Sequence, residues 1–191
     1  MTSAPPQGRY PYEHLWPDTA RIPLLGFAAW SGTGKTTLLR RVIPLLRADG
    51  LRLALIKHAH HAFDVDTPGE DSHTLRKAGA DQVLVTSNQR WALMVERAPD
   101  HVLSLREEIA RVDQDSADLV LVEGFRHEHF PKLELLRATG DEREPLHGHD
   151  ASIVAVAAPG GMSSTDALPR LPLDEPERVA AFIRDRVAAP L

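Results

Sequence analysis

The run Ala29-Trp30-Ser31-Gly32-Thr33-Gly34-Lys35-Thr36-Thr37 is the part of the chain best equipped for chemistry. Glycines at Gly32 and Gly34 let the backbone curl until several N–H groups point at one anion. A helix beginning at that point adds the partial positive charge of its N-terminus. Lys35 can then reach the β- and γ-phosphates of a nucleotide, and Thr36 offers a hydroxyl to Mg²⁺. This is a phosphate-binding loop in which Ala29 stands where the motif usually has glycine. Only four lysines occur in the chain (Lys35, Lys57, Lys77 and Lys132), so a lysine at this junction stands out.

The flanking elements suit the loop. Leu24 to Ala28 reads as a buried strand, and Lys35 to Ala48 as an amphipathic helix that Pro44 should kink or tighten and Asp49-Gly50 should end. Leu53–Ile56 is a second buried strand. Leu119–Val122 is a third, closing on Glu123, and an acid at the carboxyl end of a parallel strand beside such a loop is placed to serve magnesium. Between them lies the polar stretch from Lys57 to Asp71. If it is extended, His58, His60, Asp64 and Asp66 share one face, and His61, Phe63 and Val65 the other. Three readings stay open: acids reaching Mg²⁺ with histidines meeting an anionic ligand, a transition-metal site, or a solvated loop. Ser87-Asn88-Gln89-Arg90-Trp91 offers amide donors, a guanidinium and an indole, which suits an anionic or heteroaromatic ligand or, equally, turn chemistry beside a core tryptophan. Arg126, His127, Glu128 and His129 follow the magnesium acid and would face the same site, whereas His147 and His149 read as solvated.

The remaining pattern alternates strand and helix. Ser72 should cap a short helix over His73–Ala78, and Gln82–Thr86 with Trp91–Glu96 should form a hairpin. Ser104 and Glu107 make a capping box for a helix to Arg111. Leu133–Leu136 and Ile153–Ala157 read as strands, and Glu175 to Ala188 as a last helix capped by Asp174. The expected fold is α/β: a mostly parallel, doubly wound sheet around the phosphate loop, helices on both faces, and an added β-hairpin. Residues 1–21, with Pro5, Pro6, Pro11 and Pro17, read as a loose extension, and 22–191 as one nucleotide-binding domain.

Composition narrows the classes. With 22 Lys+Arg against 27 Asp+Glu, the formal net charge is −5, which argues against a general nucleic-acid binder. The absence of cysteine removes disulfides, thiolate metal sites and thiol catalysis. There is no apolar run long enough to span a membrane and no signal-peptide pattern, so a cytoplasmic protein is expected.

The segments FAAWSGTGKTTLL, LIKHAHHAFDVDTPGEDSHTLRKAGA, QRWALM and LVLVEGFRHE, in that order, resemble the MobB family of molybdopterin-guanine dinucleotide biosynthesis adaptors. The resemblance implies a GTP-binding protein, usually dimeric, with slow GTP hydrolysis at most. It would assist MobA, which joins GMP to molybdopterin, so molybdopterin is a further candidate ligand. By position, Trp30 to Thr37 would carry the phosphates, and Thr36, Glu123, Asp64 and Asp66 would serve magnesium. Lys57, His58, His60, His61, Gln89, Arg90 and Trp91 match motif positions with ligand-binding roles. GTP over ATP rests on the resemblance, because the common guanine-reading motif Asn-Lys-x-Asp is absent. The rival readings are a small-molecule kinase or an ATP-dependent ligase of the dethiobiotin synthetase type, and a nickel-handling GTPase suggested by His58, His60 and His61.

Overall fold

The computed structural model describes residues 8–59, 64–98, 100–137, 144–160 and 168–190. In chain order the strands are β1 (Leu24–Ala28), β2 (Leu53–Lys57), β3 (Gln82–Thr86), β4 (Trp91–Val95), β5 (Leu119–Glu123), β6 (Lys132–Leu135), β7 (Ile153–Ala158) and β8 (Arg170–Pro172). The helices are α1 (Lys35–Ala48), α2 (Asp71–Lys77), α3 (Leu105–Arg111) and α4 (Pro176–Ile183). The chain divides into two compact units, one of Met1–His58 with Ser104–Leu191 and one of Ala59–Leu103.

The larger unit is a six-stranded sheet in the order β2-β5-β1-β6-β7-β8. Every pairing in it is parallel. Parallel strands buried on both faces need continuous apolar runs, and LLGFA and LVLV supply them. Side chains alternate across the sheet. Leu25, Phe27, Leu121, Leu133 and Leu135 pack with Leu38, Leu39, Val42 and Leu46 of α1 and with Val179 and Ile183 of α4. Ala28, Ile153 and Val156 form a separate cluster with Leu136, Leu146 and Leu168. The chain passes from β1 to β2 on one side of β1 and later crosses from β5 to β6 on the other, so the carboxyl end of the sheet beside β1 is the topological switch point where α/β sheets bind ligands.

The expected α/β class is therefore observed, with local differences. α1 runs through Pro44 to Ala48. Ser104 precedes α3 without a side-chain capping bond, and the free Leu105 N–H instead donates to Glu128 Oε1 at 2.9 Å. α4 is preceded by Glu175, not Asp174, and continues into a π-helical turn over Arg184–Ala188. The short edge strand β8 is a further difference, because three residues carry too little periodicity to read as a strand.

His147 is not solvated. It lies against Glu134, itself 1% exposed, which accepts from the His147 and Leu146 N–H groups and meets His147 Nδ1 at 2.5 Å. A buried carboxylate needs such partners, and they come from a segment a dozen residues away, beyond the reach of local pattern. His149 is exposed as expected. Of the segment read as a loose extension, residues 8–21 lie on the larger unit. Tyr12 and Leu15 pack against the core, Asp18 pairs with Arg106, and the Arg21 N–H donates to Gln114 Oε1 at 2.7 Å. The aromatic and long-range polar partners outweigh the prolines.

The smaller unit holds α2 and the antiparallel pair β3–β4, joined from Thr86↔Trp91 to Gln82↔Val95. α2 begins one residue after Glu70. Ser72, expected as its cap, donates instead to Asp66 Oδ1 at 2.7 Å. Leu84, Leu93, Val95 and Trp91 are exposed, Trp91 at 69%.

Candidate functional site

The phosphate loop leaves the buried end of β1 and enters α1 at Lys35. Gly32 (φ +81°) and Gly34 (φ +103°) hold left-handed backbone that side-chain-bearing residues rarely adopt, which is why glycine is needed at both. Thr33 is buried, and its hydroxyl donates to the Trp30 carbonyl at 2.8 Å, tying the loop to itself. Ala29 is 6% exposed and belongs to the core, so the missing glycine costs nothing here. Ser31 and Thr37 are exposed.

Lys35 Nζ donates to the carbonyls of Ala29 at 3.1 Å and Trp30 at 3.3 Å, which lays the ammonium across the mouth of the loop. Burial holds its pKa below the ordinary lysine value. Glu123 pulls it back up, and Arg126 and Lys57 lower it further. Glu123 closes β5, in register with Phe27 of β1 and Lys57 of β2. Its carboxylate accepts from Thr36 Oγ1 at 2.9 Å and lies 3.4 Å from Lys57 Nζ. The His58 N–H donates to the Glu123 carbonyl at 2.8 Å, and the His58 ring packs 4.9 Å from that of Phe125. A hydroxyl and a carboxylate on adjoining elements are hard oxygen donors, the set that Mg²⁺ takes at phosphate sites. The structure thus brings Trp30 to Thr37, Lys57, His58 and Glu123 together in the larger unit.

The other sequence candidates belong to the smaller unit or lie outside the described residues. Asp64 and Asp66 are there, held by Arg76, which pairs with Asp64 Oδ1 at 2.5 Å, Asp66 Oδ2 at 3.7 Å and Glu96 Oε1 at 2.7 Å. The Arg76 guanidinium keeps Asp64 below the usual carboxylate range. Gln89 and Arg90 form the β3–β4 turn, where their N–H groups donate to Ser87 Oγ at 3.3 and 3.2 Å. Trp91 opens β4 and is exposed, not a core residue. His60 and His61 lie outside the described residues. Among the described residues no group of three or more His, Asp or Glu could hold a metal ion.

Two residues that the motif alone did not single out complete the surroundings. Arg126 places its guanidinium carbon 4.4 Å from the centre of the Trp30 ring. Arg137, just past β6, brings Nε within 3.8 Å of where a Cβ on Gly34 would stand. The only sequence signal for Arg126 was its place three residues beyond the acid.

Residues 24–159 match the profile of the family described as MobB, molybdopterin guanine dinucleotide synthesis protein B. The chain belongs to the MobB family. It is 49% identical over 162 residues to the molybdopterin-guanine dinucleotide biosynthesis adapter protein of Escherichia coli (strain K12), covering 85% of this chain and 91% of that one. It is 44% identical over 137 residues to the adapter protein of Haemophilus influenzae, covering 72% and 75%. The crystal structure of Bacillus subtilis MobB superposes with a TM-score of 0.69 at 24% identity, over 87% of this chain and 98% of that one, which shows the shared fold. Membership in the MobB family places the chain in molybdopterin guanine dinucleotide biosynthesis. No helix among the described residues is long and apolar enough to cross a membrane.

Proposed function

We propose that this chain is a GTP-binding adapter that assists MobA in attaching GMP to molybdopterin, acting in the cytoplasm. The observation that supports a nucleotide site most directly is the Thr36–Glu123 hydrogen bond of 2.9 Å beside Lys35. It sets a hydroxyl and a carboxylate next to a loop of left-handed glycines, the combination a magnesium–phosphate complex requires. Thr36 and Glu123 would hold Mg²⁺, which supplies charge neutralisation to the phosphates. The loop N–H groups from Gly32 to Thr37 would donate to phosphate oxygens, and Lys35 would leave its carbonyl partners to meet them. Preference for GTP rests on family membership and the guanine dinucleotide in its relatives' names.

The chain works by presenting ligand to its partner, with slow turnover of its own. Ground-state binding of a triphosphate does not by itself lower the barrier to hydrolysis. Molybdopterin is a second ligand of the same adapter. The chain acts as a homodimer, a reading supported by exposed Leu84, Leu93 and Val95 on the two-stranded β3–β4 pair, which is too small to be stable alone.

Calorimetric titration with GTP and ATP, with and without Mg²⁺, tests the nucleotide reading. GTP binding that is stronger than ATP binding, strengthened by Mg²⁺ and lost in Lys35→Ala, is expected. Unchanged GTP affinity in a folded Lys35→Ala protein would overturn the phosphate-loop assignment.

A further inference from the structure

Past Glu123 the chain makes a turn that side-chain-bearing residues seldom make. Gly124 has φ +111° and Phe125 φ +52°. What holds this turn is buried. Lys132, 1% exposed and paired with Asp150 at 2.7 Å, donates from Nζ to the Arg126 carbonyl at 3.1 Å and the Glu128 carbonyl at 2.6 Å. Glu128 is fixed in turn by the Leu105 N–H, and Phe125 is 8% exposed. The backbone of Arg126 is therefore pinned on both sides, while its side chain lies over Trp30 with the guanidinium carbon 4.4 Å from the ring centre.

The Trp30 carbonyl is also where Lys35 Nζ donates. In a phosphate loop this lysine serves the β- and γ-phosphates, so Arg126 stands at the terminal-phosphate end of the loop. The charges point the same way. Lys35 and Arg126 both meet Trp30, at its carbonyl and over its ring, and Lys57 lies 3.4 Å from Glu123, so three cations gather here against one carboxylate and favour an added anion.

We infer that Arg126 is a specificity-determining residue that contacts the terminal phosphate oxygens of a nucleoside triphosphate and sets the preference for triphosphate over monophosphate. A planar guanidinium suits two oxygens of one phosphate, and its place over the Trp30 ring keeps the group at this end of the loop. This rests on the nucleotide reading above, and the controls separate the two.

GTP and GMP are titrated in Mg²⁺ against the natural chain, Arg126→Ala, Arg126→Gln, Arg126→Lys and Lys35→Ala, each first checked by a thermal melt. Removing the guanidinium should weaken GTP roughly 10- to 100-fold, the range for a hydrogen bond to a charged group. GMP should weaken less than about twofold, and Arg126→Lys should recover part of the loss. An unchanged GTP-to-GMP ratio in Arg126→Ala and Arg126→Gln, with Lys35→Ala still impaired, would overturn the role of Arg126. Full GTP affinity in Lys35→Ala would instead remove the nucleotide site on which that role depends.

Discussion

Replacing Glu123 with glutamine changes one charge and almost no volume. Thr36 Oγ1, 2.9 Å from Oε1, can still donate to the amide oxygen, and the Lys57 pair at 3.4 Å is screened because Lys57 is 54% exposed. Folding stability should therefore fall by less than about 1 kcal/mol. Ligand binding should respond in opposite directions according to the metal. With Mg²⁺, exchanging a carboxylate for a neutral amide at the cation removes on the order of 1.5–3 kcal/mol, roughly 10- to 100-fold in GTP affinity. Without Mg²⁺, the lost negative charge lies beside Lys35, whose pKa it raises. Its repulsion of phosphate disappears, and at high effective dielectric that is about 0.5 kcal/mol, so affinity should hold or rise roughly twofold. Titrations in Mg²⁺ and in EDTA measure both. A loss of equal size in the two conditions would show that Glu123 serves the fold or the loop and not the cation.

Three further outcomes follow from the geometry. Gly124→Ala places a Cβ 2.6 Å from His58 Cβ at φ +111°, so urea unfolding should show a loss of about 1–3 kcal/mol together with weaker Mg²⁺-dependent binding. Glu134→Ala leaves His147 without its buried partner and should lower stability by about 3 kcal/mol in the same assay, with GTP affinity changed far less. GTP affinity should fall as pH rises through the lowered Lys35 pKa, earlier than for a lysine in water, because only the protonated ammonium attracts phosphate. Arg126→Ala removes one of the charges that lower it and should move that fall to higher pH, which titrations across alkaline pH would detect.

The parts of the site that are contiguous in sequence were legible there. A five-residue apolar strand, a glycine turn and Lys35-Thr36 at a helix start are local, and their backbone physics fixes what the loop can do. Glu123 was legible for the same reason, as the polar residue that ends a buried strand. The supports were not. Nothing local to Lys132 points to Asp150, which pairs with it from the turn before β7, and Glu134 gains its purpose from His147 across a loop. For Asp64 and Asp66 the spacing left a magnesium or ligand site, a transition-metal site and a solvated loop all open, and it gave no sign of Arg76 on α2, which pairs with both in the smaller unit. Ser104 and Ser72 follow capping patterns, but Glu128 and Asp66 take the bonds that decide the outcome. In each case the deciding partner is a polar side chain placed by tertiary structure, which residue spacing does not encode.

The adapter role itself is tested most directly by guanine dinucleotide formation in a mixture of MobA, molybdopterin, GTP and Mg²⁺. Adding the natural chain should raise the yield of molybdopterin guanine dinucleotide, and adding Lys35→Ala at the same concentration should not. No stimulation by the natural chain, or equal stimulation by Lys35→Ala, would contradict an adapter that works through its bound nucleotide.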